Sequence, residues 1–267
     1  MGLAIDSVVF TALNPGAAPA AGNAVVNAGD SAQIRNFTPT GVASIDVVSR
    51  QGATEGFVEL RSPLFHDNVR GLHYITAETP TVLLMPQQVG QPARSADTLT
   101  ITLAGGGAET DAGFMGVYYS DLPGAAAKLQ SWANLSPLVQ NIKPVEVDFT
   151  TTALGLWLDT VITTTENLLK ADTWYALLGY ITDVPVNAIG IKCPETANLR
   201  ICGPGATSTF RTDEYFLLMD ARHGRPYIPT FSANNRAAIF VSASAVAAAA
   251  TKCTLILAEL AKSYQGG

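Results

Sequence analysis

Two histidines and an aspartate stand close together in the segment HDNVRGLH, where they are His66, Asp67 and His73. Imidazole nitrogens and carboxylate oxygens are ligands that zinc and other transition metals accept. Residues seven apart on a strand point to opposite faces of a sheet, so one metal could bind both histidines only if a loop lay between them. We therefore expect ordinary loop or surface histidines here and predict no metal site.

Glu109 and Asp111 lie in a second candidate segment, AGGGAETDAG at residues 104–113. Carboxylates on a flexible loop are typical of calcium sites. Glycine-rich segments also join neighbouring antiparallel strands, and the strand-like residues on both sides favour that simpler interpretation. We expect a hairpin connection rather than a metal loop.

His223 stands between Arg222 and Arg225 in the segment DARHGRPYIP. This cluster of basic groups could face an anion, or an acidic neighbour across an interface. A solvated turn accounts for the same residues equally well, so the sequence leaves both interpretations open.

The chain has three cysteines, Cys193, Cys202 and Cys253, at spacings that suit neither a zinc site nor a disulfide framework. We expect buried free thiols in a protein made in a reducing cytoplasm. The motifs G-x-S-x-G, H-E-x-x-H, the Walker loop and C-x-x-C are absent, and GPGATS at 203–208 is typical of a loop between strands. We therefore predict no catalytic, cofactor-binding or metal-binding residue, no cofactor and no enzymatic activity.

The elements that would position these side chains are short β-strands. Runs rich in Val, Ile, Thr, Tyr and Phe alternate with Gly, Pro, Asn and Asp, which indicates strands separated by turns. In TLTITL, Thr alternates with Leu and Ile, which predicts a sheet with one covered face. The predicted strands are 6–13, 23–29, 31–37, 43–49, 56–62, 73–77, 81–86, 97–104 and 113–122, then 145–151, 154–164, 173–181, 187–193, 198–203, 214–221, 236–244 and 252–260.

One segment, 123–144, differs from the strands around it because it is rich in Ala, Leu and Gln and has a proline near each end. Apolar side chains recur there at helical spacing, although Pro137 should end or kink the helix. We predict a helical connector at 123–144 that joins a first domain at 1–122 to a second domain at 145–267.

The composition is poor in charge. Of the 267 residues, 14% are charged and 48% are hydrophobic, whereas soluble domains usually carry about 25% charged residues. This composition suits an ordered protein whose surface is largely covered by neighbours. The net charge of −6 argues against a phosphate-binding face, so we predict no direct sequence-specific binding of nucleic acid. We interpret Arg50, Arg61, Arg70 and Arg94 as scattered solvated arginines, and the aromatic residues of the strands as core.

The chain also repeats itself. RSPLFHDNVR and KCPETANLR each begin with a basic residue, have proline third and end in Asn, an aliphatic residue and Arg. Collinear order and similar offsets make the set of pairs stronger than any one of them. The four pairs are VVFTAL (8–13) with VDFTTTAL (147–154), RSPLFHDNVR (61–70) with KCPETANLR (192–200), VLLMP (82–86) with FLLMD (216–220), and VYYSDL (117–122) with LILAEL (255–260).

This duplication has a structural meaning. Eight antiparallel strands folded as two facing sheets make a jelly roll, and each half of the chain has about that many predicted strands. We therefore predict an all-β fold of two tandem eight-stranded jelly-roll β-sandwiches joined by a short helical connector. Two like sandwiches give one molecule two nearly equivalent flanks, and three such molecules offer six similar wedges that can close into a ring.

In this architecture and repeat spacing, over nearly its whole length, the chain resembles the small double jelly-roll major capsid proteins of icosahedral phages with an internal membrane. The resemblance involves no signature motif and transfers no site residue. It implies a structural protein of the virion that self-assembles as pseudo-hexameric homotrimers into an icosahedral shell. The implied partners are other copies of the chain, in the trimer and in neighbouring capsomers, and other capsid or vertex proteins. An internal viral membrane is a further partner that the sequence leaves open.

Two other classes of protein remain as alternatives. A carbohydrate-binding or adhesive pair of β-sandwiches would present exposed aromatic platforms and a secretion signal, and no signal is visible at the N-terminus. An enzyme on a two-domain cupin-like scaffold would need several histidines and a glutamate converging in one barrel. Three histidines, two of them in one loop region, suit that class poorly.

Overall fold

The structure is a computed structural model. It describes residues 2–13, 25–26, 34–52, 56–61, 72–76, 81–84, 90–104, 110–150, 157–162, 169–182, 186–205, 212–245 and 250–266. The protein is mostly β, and every strand pairing among these residues is antiparallel.

The first half of the chain forms two sheets. Sheet I has the order β2-β1-β9-β3-β6, with β7 also paired to β3, and sheet II has the order β5-β4-β8. The strands are β1 (Ala4–Leu13), β2 (Val25–Val26), β3 (Ala43–Gln51), β4 (Gly56–Arg61), β5 (Leu72–Thr76), β6 (Thr81–Leu84), β7 (Gln91–Ala93), β8 (Thr100–Ala104) and β9 (Thr110–Tyr119).

The second half also forms two sheets. Sheet III has the order β10-β16-β13-β18-β11, and sheet IV has the order β12-β17-β14-β15. The strands are β10 (Leu129–Gln130), β11 (Val139–Thr150), β12 (Trp157–Val161), β13 (Trp174–Thr182), β14 (Val186–Lys192), β15 (Ile201–Pro204), β16 (Ile228–Ser232), β17 (Phe240–Ala245) and β18 (Ala250–Leu260). The helices are α1 (Trp132–Leu135) and α2 (Tyr215–His223), with 3-10 turns at Ser136–Leu138, Pro194–Thr196 and Ala233–Ala238.

The two halves share one strand order. In sheet I, β1, β9, β3 and β6 lie side by side, and in sheet III, β11, β18, β13 and β16 lie side by side. In the other two sheets, β4 lies between β5 and β8, as β14 lies between β15 and β17. Seven strands of each half therefore have the same neighbours and follow one another in the same order along the chain. The second strand differs, because β2 pairs with β1 whereas β12 pairs with β17.

Strand register supports the same correspondence. Phe10 of β1 pairs with Gly113 of β9, and Phe149 of β11 pairs with Thr251 of β18. The offsets are 139 residues between the two phenylalanines and 138 between their partners. These are the offsets of two of the sequence pairs, those that link 8–13 to 147–154 and 117–122 to 255–260.

Three of the four repeated sequence pairs lie at corresponding places, and one was wrong. The pair RSPLFHDNVR and KCPETANLR begins at the last residues of β4 and β14, although residues 62–70 lie outside the described part of the chain. The pair VLLMP and FLLMD joins β6 to helix α2, which are different elements. The true counterpart of β6 is β16, and the sequence patterns did not predict that strand.

The predicted strand at 214–221 is helix α2. Its buried residues, Tyr215, Phe216, Met219, Asp220 and His223, recur with helical spacing. Gly224 ends the helix with a φ of 61°, a backbone conformation that glycine adopts without steric cost. The predicted strand at 31–37 was also wrong where the structure describes it, since residues 34–37 form no strand.

The helical part of the predicted connector is shorter than the segment 123–144. It comprises α1 and the 3-10 turn that follows, where Pro137 occupies one of the first positions of the turn. From Val139 the chain is already in β11, and β10 pairs with β16 of sheet III. The domain boundaries themselves stay a prediction.

The alternating pattern of β8 is confirmed in part. Leu99, Ile101 and Leu103 are buried and Thr98 and Thr100 are exposed, but Thr102, which pairs with Glu59 of β4, is also buried. The apolar side chains of this segment pack between sheets I and II, in a cluster with Val8, Phe10, Ile45, Val48, Val58, Leu60, Met115 and Val117.

Sheet I is buried on both faces. Its second face carries Ile5, Val9, Val47, Phe114 and Tyr118, which belong to one continuous core with residues of sheets III and IV. This arrangement explains why all nine residues of β3 are buried, although five of them are polar or charged. A sheet with one solvent face would show alternation instead.

Candidate functional site: the contact between the two halves

The second face of sheet I is joined to the second half by buried hydrogen bonds. Asn187 donates from its side-chain amide to the Gly113 carbonyl oxygen at 2.7 Å, and Gln51 donates to the Val186 carbonyl oxygen at 2.6 Å. The backbone amide of Cys202 donates to the Ser7 hydroxyl at 3.0 Å. These bonds connect β1, β3 and β9 to β14 and β15, so the two halves share polar contacts as well as apolar packing.

Arg225 is the charged centre of this contact. Its guanidinium donates to the Ser44 hydroxyl at 2.9 Å and forms an ion pair with Asp46, whose side chain is fully buried. The same guanidinium lies over the ring of Tyr118, with 3.8 Å between its central carbon and the ring centroid. Of the two interpretations that the sequence left open for Arg225, the acidic neighbour across an interface is confirmed, and that neighbour belongs to the same chain.

Aromatic rings stack beside Arg225. Tyr118 of β9 stacks on Tyr227 at 5.8 Å between ring centroids, and Tyr227 stacks on His223 at 6.0 Å. Burial raises the pKa of Tyr118 to about 12 and that of Tyr227 well above its ordinary value. Burial also lowers the pKa of His223; Asp46 opposes this shift, while Arg225 and Arg222 add to it. His223 is buried, so the solvated turn is the wrong interpretation of this residue.

A second buried ion pair lies in sheet I. Arg50 of β3 and Asp111 of β9 approach to 2.7 Å, and both side chains are fully buried. The interpretation of Arg50 as a solvated arginine was wrong, and Asp111, which was placed in a hairpin connection at 104–113, lies in β9. Arg61 is also partly buried and pairs with Glu59, whereas Arg94 is exposed as expected. Arg70 lies outside the described residues.

Sheet IV carries a cluster of charges around Asp159. The carboxylate accepts hydrogen bonds from Lys192 at 2.9 Å, from Arg200 at 3.0 and 3.2 Å, and from the Ser242 hydroxyl. Burial would raise the pKa of this carboxyl, but the three donors outweigh it and hold the pKa below its ordinary value. Arg200 also lies over the Trp157 ring at 5.1 Å. Every charge here has an opposite partner, as in a structural network.

The other candidate residues are not brought together. His66, Asp67 and Glu109 lie outside the described residues, and for His73 the structure describes only its place in β5. Among the described residues, no group of three or more His, Cys, Asp or Glu side chains is arranged to hold a metal ion. The prediction of buried free thiols is confirmed for all three cysteines.

The aromatic residues follow their predicted role in part. Tyr118, Tyr119, Tyr175 and Tyr180 are buried, and the three tryptophans are half-buried. Sequence reasoning missed the acid that pairs with Arg225, because Asp46 stands alone in the apolar run ASIDVVS. The only sign of its role in the sequence is the presence of an acidic residue within a strand whose other residues are typical of a buried core.

No known protein family matches the sequence, and no curated protein matches it either. Two viral structures are similar in fold at low scores. One is a chain from work on the triple jelly roll fold and turret assembly in an archaeal virus, with 10% identity, a TM-score of 0.25, and coverage of 98% of this chain and 80% of the other. The second is the major capsid protein P2 of bacteriophage PM2, with 8% identity, a TM-score of 0.22, and coverage of 95% and 97%. Within the described residues, no helix is long and apolar enough to span a membrane.

Proposed function

We propose that the protein is the structural subunit of a virus capsid and has no catalytic role. The observation that supports this proposal is the strand order, in which seven strands of each half have the same neighbours and the same sequence order. A central row of four strands facing a second sheet is the arrangement of the jelly roll, and we infer that each half is one copy of it. Both copies lie in one chain and pack on each other.

Duplication of a sandwich provides like flanks rather than a reaction centre. A chain with two like units can make the same contact twice, once within itself and once with a neighbour, and repeated contacts of this kind close into rings. Three copies would give a ring of six similar units, a homotrimer with a nearly hexagonal outline. Such tiles cover a curved surface, which is the requirement for an icosahedral shell in the virion.

The buried charges are in keeping with this role. Arg50, Asp46 and Arg225 make ion pairs that hold strands and halves in one arrangement, rather than lining an open cleft. We infer that the partners of the protein are further copies of itself in trimers and capsomers, and other proteins of the shell. Contact with an internal membrane and with vertex proteins belongs to the same proposal.

The test is the state of association of the purified protein. Light scattering after size exclusion should give a mass three times that of the 28.0 kDa chain, and electron microscopy should show rings or shells at high concentration. A protein that remains strictly monomeric at every concentration would contradict the proposal.

A further inference from the structure

The two large sheets differ in what covers them. The corresponding strands of sheets I and III lie in the same order, and each of these two sheets faces a smaller sheet on one side. The other face of sheet I is buried by the second half of the chain, through Ser7, Gly113 and the neighbouring apolar residues. The same face of sheet III is covered only in part: Ala176 and Ala258 are fully buried there, whereas the face is open along β11 and at the adjoining end of β18.

Corresponding residues of sheets I and III differ in their burial. Ile5 pairs with Tyr118 in sheet I, and Pro144 pairs with Ile256 at the corresponding position of sheet III. Ile5 and Tyr118 are buried, whereas Pro144 is exposed and Ile256 is only half-buried.

The next rows along the same two strands show the same contrast. Val9 and Phe114 pair in sheet I and are fully buried. Their counterparts, Asp148 and Lys252, pair in sheet III and are both exposed. At these positions, the same face of the sheet is therefore buried in the first half and exposed in the second.

The open face of sheet III carries an apolar stripe. Ile142 of β11 is 54% exposed and Ile181 of β13 is 49% exposed, which makes them two of the most exposed large hydrophobic residues described. The strand register places Pro144 and Ile256 between them, so the stripe crosses three strands diagonally. Exposed apolar groups that adjoin one another on a sheet mark an interaction surface.

The polar part of this face adjoins the stripe. Glu146, Asp148 and Lys252 lie on the same face toward the other end of the strands. An apolar centre beside a polar margin is the usual anatomy of a protein–protein contact.

We infer that the open face of sheet III binds a second copy of this chain, in the way that sheet I binds the second half of its own chain. This inference rests on the proposed function. Within the chain, the strands that contact sheet I are β15, at the edge of sheet IV, and its neighbour β14. Their counterparts are β5, at the edge of sheet II, and its neighbour β4, so the contact surface of the next copy is the one formed by β5 and β4. Because the two surfaces are different, the contact is head-to-tail, and it can close into a ring.

The first test replaces the apolar stripe. The double variant Ile142→Glu/Ile181→Glu should raise the concentration needed for assembly at least about tenfold, because charges placed in a buried contact oppose association. Val42→Glu is the matched control, since Val42 is 58% exposed but lies in the first half, outside sheets III and IV. Equal loss of assembly in the control, or normal assembly of the double variant, would overturn the inference.

A second test does not depend on a destabilising change. Thr254→Cys places a thiol on the open face beside Ile181, and Val42→Cys serves as the control; the three native cysteines are buried. Labelling of residue 254 by a maleimide should be at least about tenfold slower in the assembled protein than in its dissociated form, with no such change at residue 42. Equal labelling of residue 254 in both forms would overturn the contact surface while leaving the capsid proposal intact. A wild-type protein that never assembles would overturn the capsid proposal itself.

Discussion

Two of the buried ion pairs among the described residues join segments that are distant in sequence. Arg225 reaches Asp46 across 179 residues, and Arg50 reaches Asp111 across 61. An ion pair taken out of water gains little net stability, because desolvation offsets the attraction. Removing one partner is costly, since the other charge stays buried. These ion pairs therefore determine which strands pack together more than they add to the free energy of unfolding.

Asp111→Ala should lower the free energy of unfolding by about 3–5 kcal/mol, because Arg50 would remain charged in a dry environment without this carboxylate. The double variant Arg50→Met/Asp111→Ala should recover a large part of that loss. Urea unfolding followed by circular dichroism measures both. Wild-type stability in the single variant, or a double variant less stable than the single one, would show that the pair does not behave as a buried ion pair.

His223 should make stability depend on pH just below neutrality. Its pKa is lowered in the folded protein from an ordinary value of 6.5, so above that pH the residue is neutral in both states and contributes no pH dependence. As the pH falls below 6.5, the unfolded chain takes up a proton that the folded protein does not, and stability is lost. The carboxyls of Asp121 and Asp159, whose pKa values are lowered from 3.8, act only in a separate, more acidic window.

His223→Phe keeps an aromatic ring against Tyr227 and removes the titrating group. Urea midpoints measured between about pH 7.5 and pH 5 should fall more steeply for the wild type than for this variant. Parallel curves for the two proteins would refute the assignment of this pH dependence to His223.

At the scale of elements, the strands were more predictable than their partners. Alternation in β8 and the turn residues between strands are local signals, and they predicted most strands of the described chain. Helix α2 was missed because Tyr, Phe and Leu also suit strands. Its helical signals were present in the sequence, namely the spacing of Tyr215 and Met219, the basic residues of the last turn, and Gly224 after them.

The contact between the halves could not be predicted in the same way. A sequence repeat shows that a unit recurs, but which face of one unit meets the other depends on side chains far apart in the chain. Asn187, Gln51 and Ser7 are ordinary polar residues of strands in the sequence, and only the fold places them against backbone groups of the other half. Arg225 was an exception in part, because the three basic residues around one turn left an acidic partner open as one interpretation, beside an anion and a solvated turn.

At the scale of the whole molecule, burial of sheet I on both faces links the two halves energetically. Ile5, Val9, Phe114 and Tyr118 pack in the same core as the second half. If the second half unfolded alone, these side chains would enter water, which costs about 1.5–3 kcal/mol for each large apolar group. The first half is therefore not expected to persist without the second, despite having a core of its own.

The protein should consequently unfold in a single transition, and its tryptophans provide the means to test this. Trp157 and Trp174 lie in the second half, and Trp132 begins helix α1 of the connector, whose backbone donates to Asp220 of helix α2, so native fluorescence reports on the second half and the connector packed on it. A Phe37→Trp substitution in a variant whose three tryptophans are replaced by phenylalanine would report on the first half, where Phe37 is half-buried beside Tyr119. For each protein, the urea transition followed by tryptophan fluorescence is compared with the global transition followed by circular dichroism. The two transitions should coincide in both proteins, because the two halves share one core. A first-half signal that changes well before or after the global transition would mean that the two halves are independent units, and the buried face of sheet I would then be a weak contact.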